Sequence, residues 1–216
     1  MTTEQVSGDE PGGISRRLRQ MVAYAGFPML GVLTPILALP AISREFGAQG
    51  WAAIAVGQSV GAAASVAVEL GWGLTGPQAA AGSDPRDLRR LFASSLMSRG
   101  AAGLAVVPIV VVAVILLDPD YVAAACLAAV AMTISGFTTN WLYIGMGRPS
   151  RIFWTDALPR FVSVLAGVIS ITFLDAPLAA FSAWLVAGFL ASPLISLLLE
   201  RPSWRDFNEA ESVRNN

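Results

Sequence analysis

Six long apolar runs alternate with short polar segments along the 216-residue chain, at about 21–42, 51–75, 100–117, 121–145, 157–174 and 178–199. Each is long enough to cross a hydrocarbon layer of about 30 Å as a helix. The runs are continuous, which fits helices and not the alternating strands of a membrane barrel. The pattern predicts an all-α, polytopic membrane protein, a six-transmembrane-helix bundle over 20–200 flanked by polar tails at 1–19 and 201–216. The first tail, rich in Gly, Thr, Glu and Ser, reads as disordered. Arg16 and Arg17 before the first run also fit an export signal. That run is long for a signal core and equally long runs follow it, so it reads as the first span.

Between the second and third runs, "SDPRDLRRLFASSLMSRG" predicts a short amphipathic helix. Asp84 is its N-cap and Pro85 its first residue. Leu88, Leu91, Phe92 and Leu96 share one face, with Arg86, Arg89 and Arg90 elsewhere. Such a helix either just connects two spans or lies on anionic lipid headgroups.

Charge then orients the bundle. All fourteen basic residues are arginines, and only Arg44 falls in a loop on the side opposite the others. The opposite loops carry Asp118, Asp120 and Asp175 instead. The positive-inside rule therefore predicts both termini in the cytoplasm. A composition of 55% hydrophobic and 13% charged residues also belongs to membrane proteins. The chain has no histidine, and its single Cys126 lies in an apolar run. No metal site, cofactor site, nucleophile–base pair or nucleic-acid patch is expected, and no enzyme activity.

Some residues stand out against the apolar background. Pro28, Pro35 and Pro40 crowd the first run and predict a kinked span, a feature of transporter cavities and also one that membrane helices tolerate. Gly57 and Gly61 form a GxxxG that predicts close helix packing. Glu69 and Asn140 fall toward the cytoplasmic ends of spans 2 and 4, and Arg99, Asp156 and Arg160 at the cytoplasmic starts of spans 3 and 5. All five are expected in one inner layer, either snorkelling to water or forming ion pairs. Glu69 has a short stem and does nothing for topology, so a pairing with Arg99 or Arg160 is expected to offset its burial.

The run from Ala38 to Ala81 resembles the opening of bacterial polysaccharide-export flippases, the O-antigen and capsule type of the multidrug/oligosaccharidyl-lipid/polysaccharide exporter superfamily. The residues carrying the resemblance are Arg44 to Gly47, Trp51, Gln58-Ser59, then Glu69-Leu70-Gly71-Trp72 and Thr75. The hairpin "NWLYIGMGRPSRIFWTDALPRF" is similar to the family's fourth and fifth spans. The resemblance covers about 20–200 and implies a transporter that moves a polyprenyl-diphosphate-linked glycan across the inner membrane by alternating access. It makes Arg99, Arg160, Asn140 and Gln58 the candidate substrate-binding residues, and Glu69 and Asp156 the ion-pair or coupling acids. Arginine suits a diphosphate. Family members carry twelve or more spans in two lobes, and six match the N-terminal lobe only. The expected partners are therefore the lipid bilayer, the lipid-linked glycan, and a second six-helix half or a second copy. The alternatives are a non-transporting interaction protein or remnant, and a small-drug exporter of the same superfamily.

Overall fold

The computed structural model describes residues 11–117, 119–202 and 206–207, with side chains from Thr34 onward. Most of both expected tails, the arginines before the first run, Pro28 and Asp118 lie outside the residues so described. Among the described residues, eight α-helices with defined bounds follow one another: α1 (Pro11–Glu69), α2 (Trp72–Ala80), α3 (Pro85–Leu116), α4 (Val122–Ile134), α5 (Asn140–Gly145), α6 (Pro149–Ile152), α7 (Leu158–Phe173) and α8 (Leu178–Glu200). A 3₁₀ turn at Ser135–Phe137 follows α4, and a π turn at Phe153–Ala157 joins α6 to α7. The described residues contain no strand.

Among the described residues, five helical stretches are long and apolar enough to cross a membrane: Thr34–Glu69, Pro85–Leu116, Val122–Gly145, Pro149–Phe173 and Leu178–Glu200. The apolar runs predict six. The difference lies in α1, which carries the first two runs on one helix, interrupted only at Gly47 (φ 68°, ψ −172°). That conformation is open essentially to glycine alone. Both limbs pack into the bundle, since Ala38 and Ile42 before the break and Ile54 after it share one buried cluster. The second limb also ends early. Leu70 and Gly71 are left-handed (φ 51° and 75°), so the span stops at Glu69 and Trp72 starts a separate helix.

The segment expected as a separate surface helix is the first part of α3. This helix runs unbroken for 32 residues, about 48 Å at 1.5 Å per residue. Its Leu88, Leu91, Phe92 and Leu96 pack on Ala80, Trp141 and Leu142, so α2 and α5 cover the apolar face. The π turn has a simple cause. Pro159 lacks an N–H for the fourth residue back, and the chain widens, with the Leu158 N–H bonding to the Phe153 carbonyl.

α4 is the central strut, packed against α1, α3 and α8. Its alanines let neighbours come close, and the GxxxG of α1 uses this. A Cβ on Gly57 or Gly61 would collide with the Ala125 or Ala129 carbonyl. Gly167 likewise lies under Phe181, joining α7 to α8. Such contacts rest on dispersion between closely approaching backbones, because lipid supplies no hydrophobic drive between helices. Gly100 differs: a Cβ there meets nothing within 4 Å. Gly61→Leu is therefore expected to separate α1 from α4 and abolish a monodisperse, cooperatively melting species in detergent. Gly100→Ala is expected to leave stability unchanged or raise it by up to about 1 kcal/mol through helix propensity. Equal melting of both variants would refute the assignment of the α1–α4 contact to Gly61.

Candidate functional site

The two ends of the bundle differ in charge. Arg86, Arg89 and Arg90 at the start of α3 share one end with Arg148, Arg151 and Arg201. At the other end, Glu45 and Asp175 line one shallow cleft, and Gln49 and Asp120 another. Just inside the arginine-rich end lies a polar layer, built where two spans lose regular helix.

Arg99 anchors this layer. Its side chain is completely buried (0% exposed). The Nε donates to the Ser95 carbonyl (3.1 Å) and Nη2 to Ser95 Oγ (2.7 Å), one turn back on the same helix. Nη1 reaches across to the carbonyls of Gly136 (3.2 Å) and Thr138 (2.8 Å) in the break after α4. The guanidinium thus satisfies carbonyls released where a helix ends, at the negative end of its dipole.

Beyond the break the residues reach two other helices. Thr139 Oγ1 and Ser196 Oγ of α8 share a hydrogen bond of 2.7 Å, and Tyr143 OH donates to the same Ser196 Oγ at 3.1 Å. Asn140 Nδ2 donates to Asp156 Oδ2 (3.1 Å), and Asp156 Oδ1 lies 2.6 Å from Arg160 Nη2 one turn on. The π turn holds this carboxylate, which is wholly buried. Arg160 lies with its charged carbon 4.3 Å from the Phe189 ring centroid, and its side chain keeps 28% exposure. Arg160 Nε and Asn140 Oδ1 find no hydrogen-bond partner among the described residues. Outside the layer, Arg151 joins Glu200 at 2.6 Å while lying over Tyr143.

The structure therefore brings Arg99, Asn140, Asp156 and Arg160 to the same end of the bundle, in two separate constellations. Glu69 sits near them, half-buried, and forms no ion pair within 4.0 Å among the described residues. Its carboxylate lies over Gly73, in the first turn of α2, where a Cβ would strike it. Arg99 acts on it only through space. A helix N-terminus favours a negative charge, so α2 supplies part of what an arginine contact would have supplied. Gln58 stands apart, half-buried on α1, about 16 Å along the helix from Glu69. The residues that complete the layer but carry no charge are Ser95, Thr139, Tyr143 and Ser196. Their only sequence signal is a hydroxyl in an apolar run, which membrane helices contain widely.

Two consequences separate the acids from the bases. Arg99→Gln strands the carbonyls of Gly136 and Thr138 and is expected to destabilise the protein by about 2–3 kcal/mol, read as a fall in thermal midpoint in detergent. Glu69→Gln loses only a helix-end interaction, and its expected cost is below about 1 kcal/mol. A larger loss from Glu69→Gln than from Arg99→Gln would show a direct pairing that this arrangement lacks. Comparison with family models, curated proteins and solved structures finds no match for the chain.

Proposed function

We propose that the chain is a lobe of a cytoplasmic-membrane exporter that flips lipid-linked oligosaccharide or polysaccharide precursors, and that it works with a second six-helix half or a second copy. The observation that carries this reading is the pair of broken spans at one depth. The 3₁₀ break after α4 and the π turn before α7 both lie where the buried charges gather. Irregular backbone inside a membrane is tolerated where it is buried in protein or lines a cavity, and it recurs at transport sites. Arg160 is the group offered to a diphosphate headgroup, because it remains partly exposed and stacked rather than enclosed. Asp156 and Asn140 hold it in place. Arg99, enclosed by carbonyls, supports the break and offers no free edge in this conformation.

In this reading the arginine-rich end faces the cytoplasm, and α1 is a hairpin of two spans turning at Gly47, which restores the count of six. The resemblance in Arg44 to Gly47, Gln58-Ser59 and Glu69 to Trp72 points the same way. A second reading, a membrane interaction protein without transport, is favoured by the complete enclosure of Arg99 and by the internal pairing of Asp156.

Reconstitution separates the two. Vesicles containing the chain, alone or with a candidate second half, are loaded with a lipid-linked oligosaccharide whose glycan is read by an outside lectin or glycosidase. Flipping is expected from the active assembly, with Arg160→Gln at least tenfold slower and Arg160→Lys intermediate. Absence of flipping in every pairing, together with unchanged surface glycan in a deletion strain, would leave the interaction protein. Efflux of small cationic dyes without glycan flipping would indicate the drug-exporter alternative.

A further inference from the structure

The last turns of α8 are held differently from the rest of that helix. Pro193 removes a backbone hydrogen bond inside it and marks a place where the helix bends. Seven residues follow, Leu194 to Glu200, an arm of about 10 Å. Ser196 alone among them is buried, while Leu194, Leu197, Leu198 and Leu199 are exposed. Leucines that meet lipid give a helix no drive to stay against its neighbours. Polar ties fasten the arm instead: Ser196 to Thr139 and Tyr143, and Glu200 to Arg151.

A third tie comes from beyond the helix. Arg201 ends α8 in the left-handed region (φ 44°), and Pro202 follows it. Asp206 then stands nearly buried, with Oδ2 3.8 Å from Nε of Arg89 on α3. The four residues from Pro202 to Asp206 reach at most about 14 Å, so this pair keeps the end of the arm close to α3. Within the bundle α3 and α8 scarcely touch, so packing does not do the same. Arg89 precedes the apolar run at 100–117 by about three turns, which puts the pair at water and not in hydrocarbon. The arginine side chain is 41% exposed, so the pair is weak and open to screening by salt.

We infer that the end of α8 is a hinged arm, latched to α3 by the Asp206–Arg89 pair. When the pair opens, the arm turns about Pro193 and Ser196 leaves Thr139 and Tyr143. A turn of about 30° at the proline moves the tip of the arm by about 5 Å. The state of an exposed ion pair is thereby carried into the buried polar layer. The latch requires no transport and does not rest on the exporter reading.

The test uses the full chain in phospholipid nanodiscs, with Cys126→Ser and spin labels on Arg86→Cys and Leu198→Cys. Both labelled positions are exposed, and Arg86 forms no ion pair among the described residues. Pulsed electron spin resonance reads the distance between them. At low salt one narrow distance is expected. Asp206→Asn, or about 0.5 M potassium chloride on the unaltered pair, is expected to add a population about 5 Å longer. Arg89→Asp combined with Asp206→Arg is expected to restore the narrow distance. Pro193→Ala is expected to suppress the longer population of Asp206→Asn. A distribution that neither Asp206→Asn nor salt changes would overturn the latch, as would a charge reversal that fails to restore it. A longer population that survives Pro193→Ala would overturn the hinge.

Discussion

A bilayer offers no water to a broken helix, and the break after α4 is where this bundle meets that constraint. The carbonyls of Gly136 and Thr138 leave the helical ladder inside the membrane-spanning stretch Val122–Gly145. Left alone they would each face a desolvation cost of several kcal/mol. Arg99 supplies both donors from a neighbouring span, and Ser95 completes its fork. The break in turn sets the course of the chain beyond it. Thr139 reaches α8, Asn140 reaches the π turn, and Trp141 lies against Trp72 at 5.0 Å over Gly76. One guanidinium therefore fixes how α2, α5, α7 and α8 meet at the arginine-rich end.

The two ends of the bundle are held by different physics. Toward the acidic end the helices meet through small residues, as Gly57 and Gly61 do against α4, and Phe46 meets Tyr121 edge-on. Those contacts depend on distance and only weakly on direction. Toward the arginine-rich end, directional hydrogen bonds and ion pairs are added to the apolar packing of α3 on α2 and α5, and in a low dielectric their partners count for more and orphans cost more. α3 and α8 make few contacts with each other, and an apolar cleft lined by Gly100, Leu104, Phe137 and Pro193 opens between them.

The apolar runs carry most of this architecture openly. Five of the helices, the close approach at Gly57 and Gly61, and the gathering of Arg99, Asn140, Asp156 and Arg160 at one depth all follow from hydropathy and charge position. What hydropathy cannot distinguish is a loop from a one-residue break. The polar residues Arg44, Glu45 and Gln49 suggest a connection between spans, yet a helix accommodates all three, and only the backbone of Gly47 departs from it. The same ambiguity hides the continuity of α3, because an amphipathic segment and an apolar one can share a helix. Partners are harder still. Backbone carbonyls leave no trace in a sequence, and hydroxyls such as Ser95 and Ser196 are unremarkable in apolar helices. Charge alone points Glu69 toward an arginine, whereas its carboxylate lies against Gly73 in the first turn of α2.

Arg99 and Arg160 show why equal charge at equal depth need not mean equal role. Arg99 sits among four acceptors contributed by Ser95, Gly136 and Thr138, so any ligand would have to replace bonds that hold the α4 break closed. Arg160 depends instead on a single carboxylate one turn away and on an aromatic face, and both leave part of the guanidinium uncovered. Its partner Asp156 stands on a π turn, where one extra residue per turn alters which way a side chain points. Were that turn to relax to α-helix, Asp156 would swing relative to Asn140 and Arg160 together. Pro159 opposes this, since it cannot supply the N–H that a regular helix needs there. The proline thus keeps the acid aimed inward, and the position of the partly open arginine follows from a missing backbone donor three residues past that acid.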